Sequence, residues 1–174
     1  MENWKRVWRR GIAPLCSTAT LRKLEQVLES DSPQLTQGDT VRPYPVIYKS
    51  LPINHPSQPC NSAPDAACLI AWIGWQGGEA TLTKTKDVAA WFGHATEKIV
   101  ALVGFDEFCV FLNWFDETPR PDMRHLLLEE VRRSLTAGVT FRSEWNPVPH
   151  NPLELDPYTV LEDEHADEPL AVVG

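Results

Sequence analysis

Hydrophobic residues recur at helical spacing in several stretches of the chain. The clearest stretch runs from Asp87 to Leu102, where apolar residues separated by about 100° per residue fall on one face of a helix. These residues are Val88, Trp91, Phe92, Ala95, Ile99 and Leu102. Because His94, Glu97 and Lys98 fall on the opposite face, the pattern predicts an amphipathic helix whose polar side meets water.

Two more stretches have the same period. Leu21, Leu24 and Leu28 mark the buried side of a helix from about Thr20 to Ser30. Near the other end of the chain, Thr118-Pro119 is typical of a helix start, because threonine caps and proline suits the first helical position. The helix that begins there is predicted to reach Leu135 and to end at Gly138.

The first ten residues form a short amphipathic pattern, with Trp4, Val7 and Trp8 on one side and Gly11 as a predicted stop. One interpretation is a docking helix that packs both indoles on the rest of the protein. The other is a basic helix that meets an acidic partner or a membrane surface. Under the second interpretation the partner-binding residues are Trp4, Lys5, Arg6, Trp8, Arg9 and Arg10.

Two segments are apolar on nearly every side. Ser62-Ala-Pro-Asp65 resembles a capping box, so a buried central helix is expected over Ala66 to Gln76, stopped by Gly77-Gly78. Phe105 to Phe115 is the second such segment and is expected to be enclosed by its neighbours. Periodicity alone does not decide whether residues 69–75 and 108–115 are helix or strand.

Prolines indicate a long irregular connection between the helix predicted at Thr20 to Ser30 and the helix predicted at Ala66 to Gln76. Seven prolines between residues 31 and 64 remove backbone donors, so a long connection is expected there, with one edge strand at Val46 to Leu51. Val139 to Trp145 alternates as a short strand would. The predicted fold is therefore mainly α: a compact irregular bundle of four or five helices with a Pro-rich crossover. The alternative is an α+β fold in which 46–51 and 139–145 pair.

Charge divides the chain into a body and a tail. Of the 24 acidic residues, seven lie in 151–174, where no Lys or Arg occurs, which leaves 17 acidic against 16 basic residues in 1–150. We expect a single helical domain over 1–150 and an acidic, disordered tail over 151–174. A nearly neutral body argues against nucleic-acid binding, which needs a wide basic surface.

Several features place the protein in the cytoplasm. No stretch approaches the roughly 18 apolar residues of a membrane span, and no apolar run of a secretory signal follows the basic N-terminal residues. Four cysteines without a scaffold spacing are expected to be reduced thiols.

The most specific candidate for a metal site is the set Asp122, His125 and Glu129, whose spacing brings three ligand types to one helix face. His94 and Glu97 offer a second half. Metal sites in helical bundles project inward, whereas these side chains lie opposite the apolar stripe that Met123 begins. A water-facing surface is therefore the favoured interpretation, with no metal and no cofactor.

Candidates for catalysis are weaker. His55, Cys60 and Cys68 lack the close pairing of zinc ligands, and Cys109 lies among aromatic residues, where a thiol is expected to be inert. No nucleotide-binding, nucleophile-elbow or zinc-protease motif is present.

The leading functional hypothesis is a non-enzymatic protein–protein interaction or regulatory module, because aromatic anchors are abundant and catalytic spacings are missing. One alternative is a small hydrolase-like enzyme whose site assembles around His55 or His125. Another is peripheral membrane association through the N-terminal basic helix. The sequence identifies neither the partner nor the oligomeric state.

Overall fold

A computed structural model describes residues 2–44, 61–77 and 82–138 of the chain. Its six helices are α1 (Asn3–Val7), α2 (Thr18–Glu29), α3 (Leu69–Trp72), α4 (Thr85–Val103), α5 (Phe105–Glu117) and α6 (Arg120–Ala137). Two short strands, β1 (Val41–Arg42) and β2 (Ala66–Ala67), pair antiparallel, with Val41 opposite Ala67. The prediction of a mainly α fold is confirmed.

The periodic segments form the helices that were predicted for them. Helix α4 covers Asp87 to Leu102, and α2 begins at Thr18, where the Ser17 hydroxyl accepts a hydrogen bond from the Thr20 N–H at 3.1 Å. Residues 69–75 and 108–115 are both helical. The candidate strands at 46–51 and 139–145 and the acidic tail at 151–174 lie outside the described residues.

The predicted end of the first helix at Gly11 is wrong. Helix α1 continues without a break into a π-helical turn, Trp8–Ile12, and then into a 3₁₀ turn, Ala13–Leu15. Gly11 is buried inside the π-helical turn. A Cβ atom there would lie 2.8 Å from Cγ2 of Ile99, so glycine at this position allows the backbone to approach α4 closely rather than stopping the helix.

The predicted helix start at residue 66 is also wrong. The Asp65 N–H donates to the Arg42 carbonyl at 2.7 Å, and Ala66–Ala67 continues this pairing as β2. Cys68 is the N-cap residue of α3, which passes directly into a second π-helical turn, Ile73–Gly77. Strand pairing with β1 therefore takes the backbone groups that a capping box would have used.

The junction between α5 and α6 differs from its prediction in one detail. Thr118 is extended and ends α5, and Pro119 takes the N-cap position of α6 without a side-chain hydrogen bond. The other end of α6 is as expected, because Gly138 adopts the left-handed conformation with φ of 67°.

Helices α2 and α6 pack side by side, and arginines of α6 complete the end of α2. The Arg124 guanidinium donates to the Leu28 carbonyl at 2.9 and 2.6 Å, and Arg120 donates to the carbonyls of Ser32 and Leu35 at 3.0 and 2.8 Å. Leu28 lies in the last turn of α2, where carbonyls have no partner within the helix, and Ser32 and Leu35 lie in the loop that follows. The arginines therefore supply hydrogen bonds to the end of α2 and to this loop.

Glycine also allows close packing within the π-helical turn after α3. A Cβ atom on Gly74 would lie 2.2 Å from Cδ2 of the buried Trp91, whereas one on Gly93, in the exposed middle of α4, would meet nothing within 4 Å. Gly74 therefore stabilises the fold by making room for Trp91, whereas Gly93 lowers the stability of α4 relative to alanine.

We expect Gly74→Ala to lower the free energy of unfolding by about 1–3 kcal/mol, because Trp91 has to move out of a packed core. The control Gly93→Ala should raise it by about 0.5–1 kcal/mol, because alanine favours an exposed helix. Urea unfolding of both variants tests this. Equal effects in the same direction would contradict the packing described for Gly74.

Candidate functional site

The two indoles of the N-terminal helix face the interior. The Trp4 ring stacks on the Trp114 ring of α5, with centroids 3.6 Å apart and planes inclined by 2°. Trp8 is fully buried, and its Nε1–H donates to the Ser134 hydroxyl of α6 at 3.1 Å. Helix α1 therefore packs both indoles on the rest of the protein, as the docking interpretation predicted.

The basic residues of this helix are largely used within the chain. Lys5 pairs with Glu2 at 2.7 Å, and Arg6 pairs with Glu107 of α5. Arg9 forms a two-pronged ion pair with Glu130 of α6. Arg10 is exposed. Partner binding through the six N-terminal residues predicted for it, which include Trp4 and Trp8, stays a prediction. A partner that binds Trp4 or Trp8 would first have to displace the Trp114 ring or the hydrogen bond to Ser134.

The pair between Arg9, in the π-helical turn after α1, and Glu130 of α6 joins two nitrogens to two oxygens. Arg9 Nε donates to Oε2 and Nη2 to Oε1, both at 2.7 Å. Glu130 is only 2% exposed. The hydrogen bonds from Arg9 lower the pKa of the Glu130 carboxyl, against a smaller opposing effect of desolvation. This carboxylate therefore stays charged in the interior because α1 is docked.

The metal candidates on α6 lie on its outer surface. Asp122, His125 and Glu129 are all exposed, and His125 Nε2 lies 3.4 Å from Glu129 Oε1 as a simple pair one helical turn apart. His125 is 73% exposed. No group of three His, Cys, Asp or Glu side chains within the described ranges is arranged to hold a metal ion.

The remaining candidates for catalysis are His94, Cys68 and the pair His55 and Cys60. His94 on α4 lies 3.9 Å from the exposed Glu97, while His55 and Cys60 lie outside the described residues. Burial raises the pKa of the Cys68 thiol to about 12, and a smaller contribution comes from the charge of Asp116. Such a thiol is protonated at neutral pH and is a poor nucleophile.

Helix α5 has an exposed apolar side, contrary to the expectation that Phe105 to Phe115 is enclosed. Phe108, Phe111 and Phe115 are buried, but Phe105 is 66% exposed and Val110 is 42% exposed. Cys109, predicted to be a core residue, is only half-buried. One face of α5 packs on the core, and the other presents hydrophobic side chains to solvent.

Phe105 is the exposed start of a row whose other members, Cys109 and Leu112, are partly buried. Val110 lies on a different side of the helix, about 140° from Phe105 at about 100° per residue. Phe105, Cys109 and Leu112 follow one another at i, i+4 and i+7, so they lie along one side of α5. We call this row the α5 ridge. Leu102, at 36% exposure, lies three residues before Phe105 across the Gly104 turn. A row of this kind is one of the features that mark interaction sites on soluble proteins.

The α5 ridge ends at a cavity of about 120 Å³, which we call the α5 cleft. Hydrophobic side chains from α3, α4 and α5 make most of its wall, and Asp39 and Asp116 lie at its polar side. The lining residues are Gly38, Asp39, Thr40, Cys68, Leu69, Ile70, Phe92, Phe111, Leu112, Phe115 and Asp116.

The loop that carries Gly38 to Thr40 is tied to the end of α5. Gln37 Nε2 donates to the Thr118 carbonyl at 2.9 Å, and the Gly38 N–H donates to Oδ1 of Asp116 at 2.9 Å. On the opposite side the Cys68 N–H donates to the Thr40 carbonyl at 3.0 Å. Both walls of the cleft are therefore held by hydrogen bonds before any ligand binds.

Sequence reasoning missed the α5 ridge and the α5 cleft for different reasons. A signal for exposure was present, because Asp106, Asn113 and Glu117 share one side of α5 and mark it as the face toward water, and the ridge lies next to this side. No local signal marks the cleft. Its walls come from segments up to 78 residues apart, as the bond between Gly38 and Asp116 shows.

Comparison with protein-family models, with curated proteins and with solved structures gives no match to this chain. Among the described helices, none combines the length and the apolar character needed to cross a bilayer. The α5 ridge and the α5 cleft are the surface features from which we argue the function below.

Replacing the buried carboxylate tests how firmly α1 is held. We expect Glu130→Gln to lower the free energy of unfolding at pH 7 by about 2 kcal/mol, because a neutral amide at this buried position cannot replace the two charge-assisted hydrogen bonds that the carboxylate accepts from Arg9. The pKa of Glu130 is lowered by folding. Its contribution is therefore complete above the unfolded pKa of about 4.3 and is lost as pH falls through the folded value.

The matched control is Glu129→Gln, which changes the neighbouring exposed glutamate. Urea unfolding between about pH 2.5 and 8 compares both variants with the wild type. The gap between wild type and Glu130→Gln should narrow on acidification, while Glu129→Gln should stay close to wild type throughout. A gap that is constant with pH would show that Glu130 acts through shape and not through charge.

Proposed function

We propose that the protein is a protein–protein interaction module that holds a partner polypeptide along the α5 ridge. The observation that carries this proposal is the 66% exposure of Phe105, which begins the ridge on a helix whose other face is core. Burying such side chains against a partner removes apolar surface from water, which drives most protein association.

The arrangement of residues on α5 is more typical of a binding surface than of a single hydrophobic residue exposed by chance. Single exposed hydrophobic residues are common and carry no argument. Here Phe105, Cys109 and Leu112 lie along one side of α5, and Leu112 also lines a preformed cavity. Hot spots of interfaces have this form, with apolar anchors beside a pocket and polar groups at the rim.

The negative charge of α5 indicates which kind of partner it would attract. Asp106, Glu107, Asp116 and Glu117 are its charged residues, and it has no Lys or Arg. Glu107 is paired with Arg6. Two copies of this helix placed face to face would oppose acid to acid, so we propose a different polypeptide of basic or neutral character as the partner.

We propose the cytoplasm as the compartment. The three described cysteines, Cys16, Cys68 and Cys109, are free thiols. Free thiols are usual for proteins of a reducing compartment.

A photo-crosslinking experiment tests this function. A benzophenone amino acid in place of Phe105, expressed in the native host, should give one or few discrete adducts with other polypeptides on irradiation. The same amino acid in place of Arg133, on the exposed side of α6, is the control. The proposal predicts adducts that depend on the position 105 probe, and equal adduct patterns from both positions would contradict it.

A variant provides the second arm of this test. Phe105→Ser should abolish the adducts formed by a probe at Cys109, the next residue of the ridge, since the main apolar anchor is lost, while the stability changes by less than about 0.5 kcal/mol because the Phe105 side chain is exposed. Phe108→Ser, in the buried face of the same helix, should instead destabilise the fold. Adducts that persist in Phe105→Ser would count against the α5 ridge.

A further inference from the structure

The size of the α5 cleft limits what it can hold. Sites for small-molecule ligands usually enclose roughly 300–1,000 Å³. The α5 cleft encloses about 120 Å³. This volume suits a single side chain inserted from outside, not a whole cofactor or metabolite.

The walls of the cleft are suited to an elongated apolar stem. Phe92 from α4, Phe111 and Leu112 from α5, and Ile70 from α3 give it hydrophobic sides. A flexible chain of methylene groups packs well on aromatic and branched side chains, and lysine and arginine commonly bury their stems in this way. An inserted cation would also gain from aromatic faces nearby.

The polar side of the cleft is suited to a positive charge. Oδ1 of Asp116 accepts a hydrogen bond from the Gly38 N–H, and no cation within residues 2–44, 61–77 and 82–138 lies within ion-pair distance of this carboxylate. Asp39, also at the cleft, is paired with Arg42 at 2.6 Å. Asp116 lies in the last turn of α5, where the helix dipole also favours a cation.

We infer that the α5 cleft receives one lysine or arginine side chain of the partner polypeptide, with its methylene groups on Phe92, Phe111 and Leu112 and its cation on Asp116. This inference rests on the proposed function and adds the chemistry of recognition to it. Apolar residues of the partner next to this cation would lie along the α5 ridge. The recognised segment therefore combines one basic residue with hydrophobic neighbours.

A selection from randomised octapeptides tests this specificity directly. The immobilised full-length protein should enrich peptides with Lys or Arg at one position beside hydrophobic residues. A selected lysine peptide is then compared with its norleucine twin, which keeps the methylene groups and removes the ammonium. We expect the twin to bind wild type about tenfold more weakly, the effect typical of one ion pair at an interface.

Protein variants locate the effect in the cleft. Asp116→Asn removes the charge and keeps an oxygen for the Gly38 N–H, so it should bind both peptides equally weakly. Asp122→Asn, which removes an exposed carboxylate from α6, is the control and should behave as wild type. Circular dichroism and thermal unfolding confirm that both variants are folded.

The possible outcomes separate this inference from the proposed function. Enriched peptides without a basic residue, or an Asp116→Asn variant that still prefers lysine to norleucine, overturn the inference and leave an apolar interaction surface standing. No enrichment together with no adducts from the position 105 probe overturns both. Competition by a second copy of the protein, seen as concentration-dependent dimerisation that Asp116→Asn abolishes, also overturns it, because the occupant would then be this chain.

Discussion

The buried carboxylate of Glu130 constrains the position of the whole N-terminal segment. A charge in the interior is unfavourable unless it is paired and hydrogen-bonded, and Arg9 supplies both hydrogen bonds in this protein. Arg9 reaches Glu130 only when the π-helical turn that carries it lies on the core beside α6. The docked position of the N-terminal segment therefore determines whether this buried carboxylate keeps its two hydrogen bonds, since its other cationic neighbour, the exposed Arg133, lies 3.9 Å from it and makes no hydrogen bond to it.

The same placement explains how α1 and the π-helical turn after it together contact three helices. Trp4 stacks on α5, Trp8 bonds to Ser134 of α6, and Gly11 brings the backbone against Ile99 of α4. The π-helical turn at Trp8–Ile12 keeps this run helical while Gly11 meets α4. Since α1 and the core cover one side of α5, the opposite side of α5 is the one left for an external partner.

Much of the fold was predictable from the sequence, because helices whose apolar residues face a core carry a clear period. The stripe of Leu21, Leu24 and Leu28 and the long α4 pattern are examples, and both lie where they were predicted. Leu102 is an exception, since it sits at the end of α4 beyond the packed core and is partly exposed. The periodicity predicts which side of a helix is apolar, but it does not predict how far along the helix the neighbouring elements cover that side.

The candidate site was less predictable, because burial of a charged residue depends on a distant partner. Glu130 lies in the same stripe as Met123 and Leu127, which places it inward by spacing, yet the rule that ionisable groups face water argues the opposite. Only the approach of Arg9, 121 residues earlier, resolves this conflict. The α5 cleft was equally hard to predict, since residues from four separate segments of the chain line it.

Native-state hydrogen exchange tests most directly whether α1 is an integral part of the core. The backbone amides of Trp8 to Ile12 should exchange only through global unfolding, with the same opening free energy and the same urea dependence as those of Leu127 and Val131 in α6. Exchange at residues 8–12 with an opening free energy well below that of α6 and with little urea dependence would contradict the account. It would show a helix that detaches from the body and leaves Glu130 without Arg9.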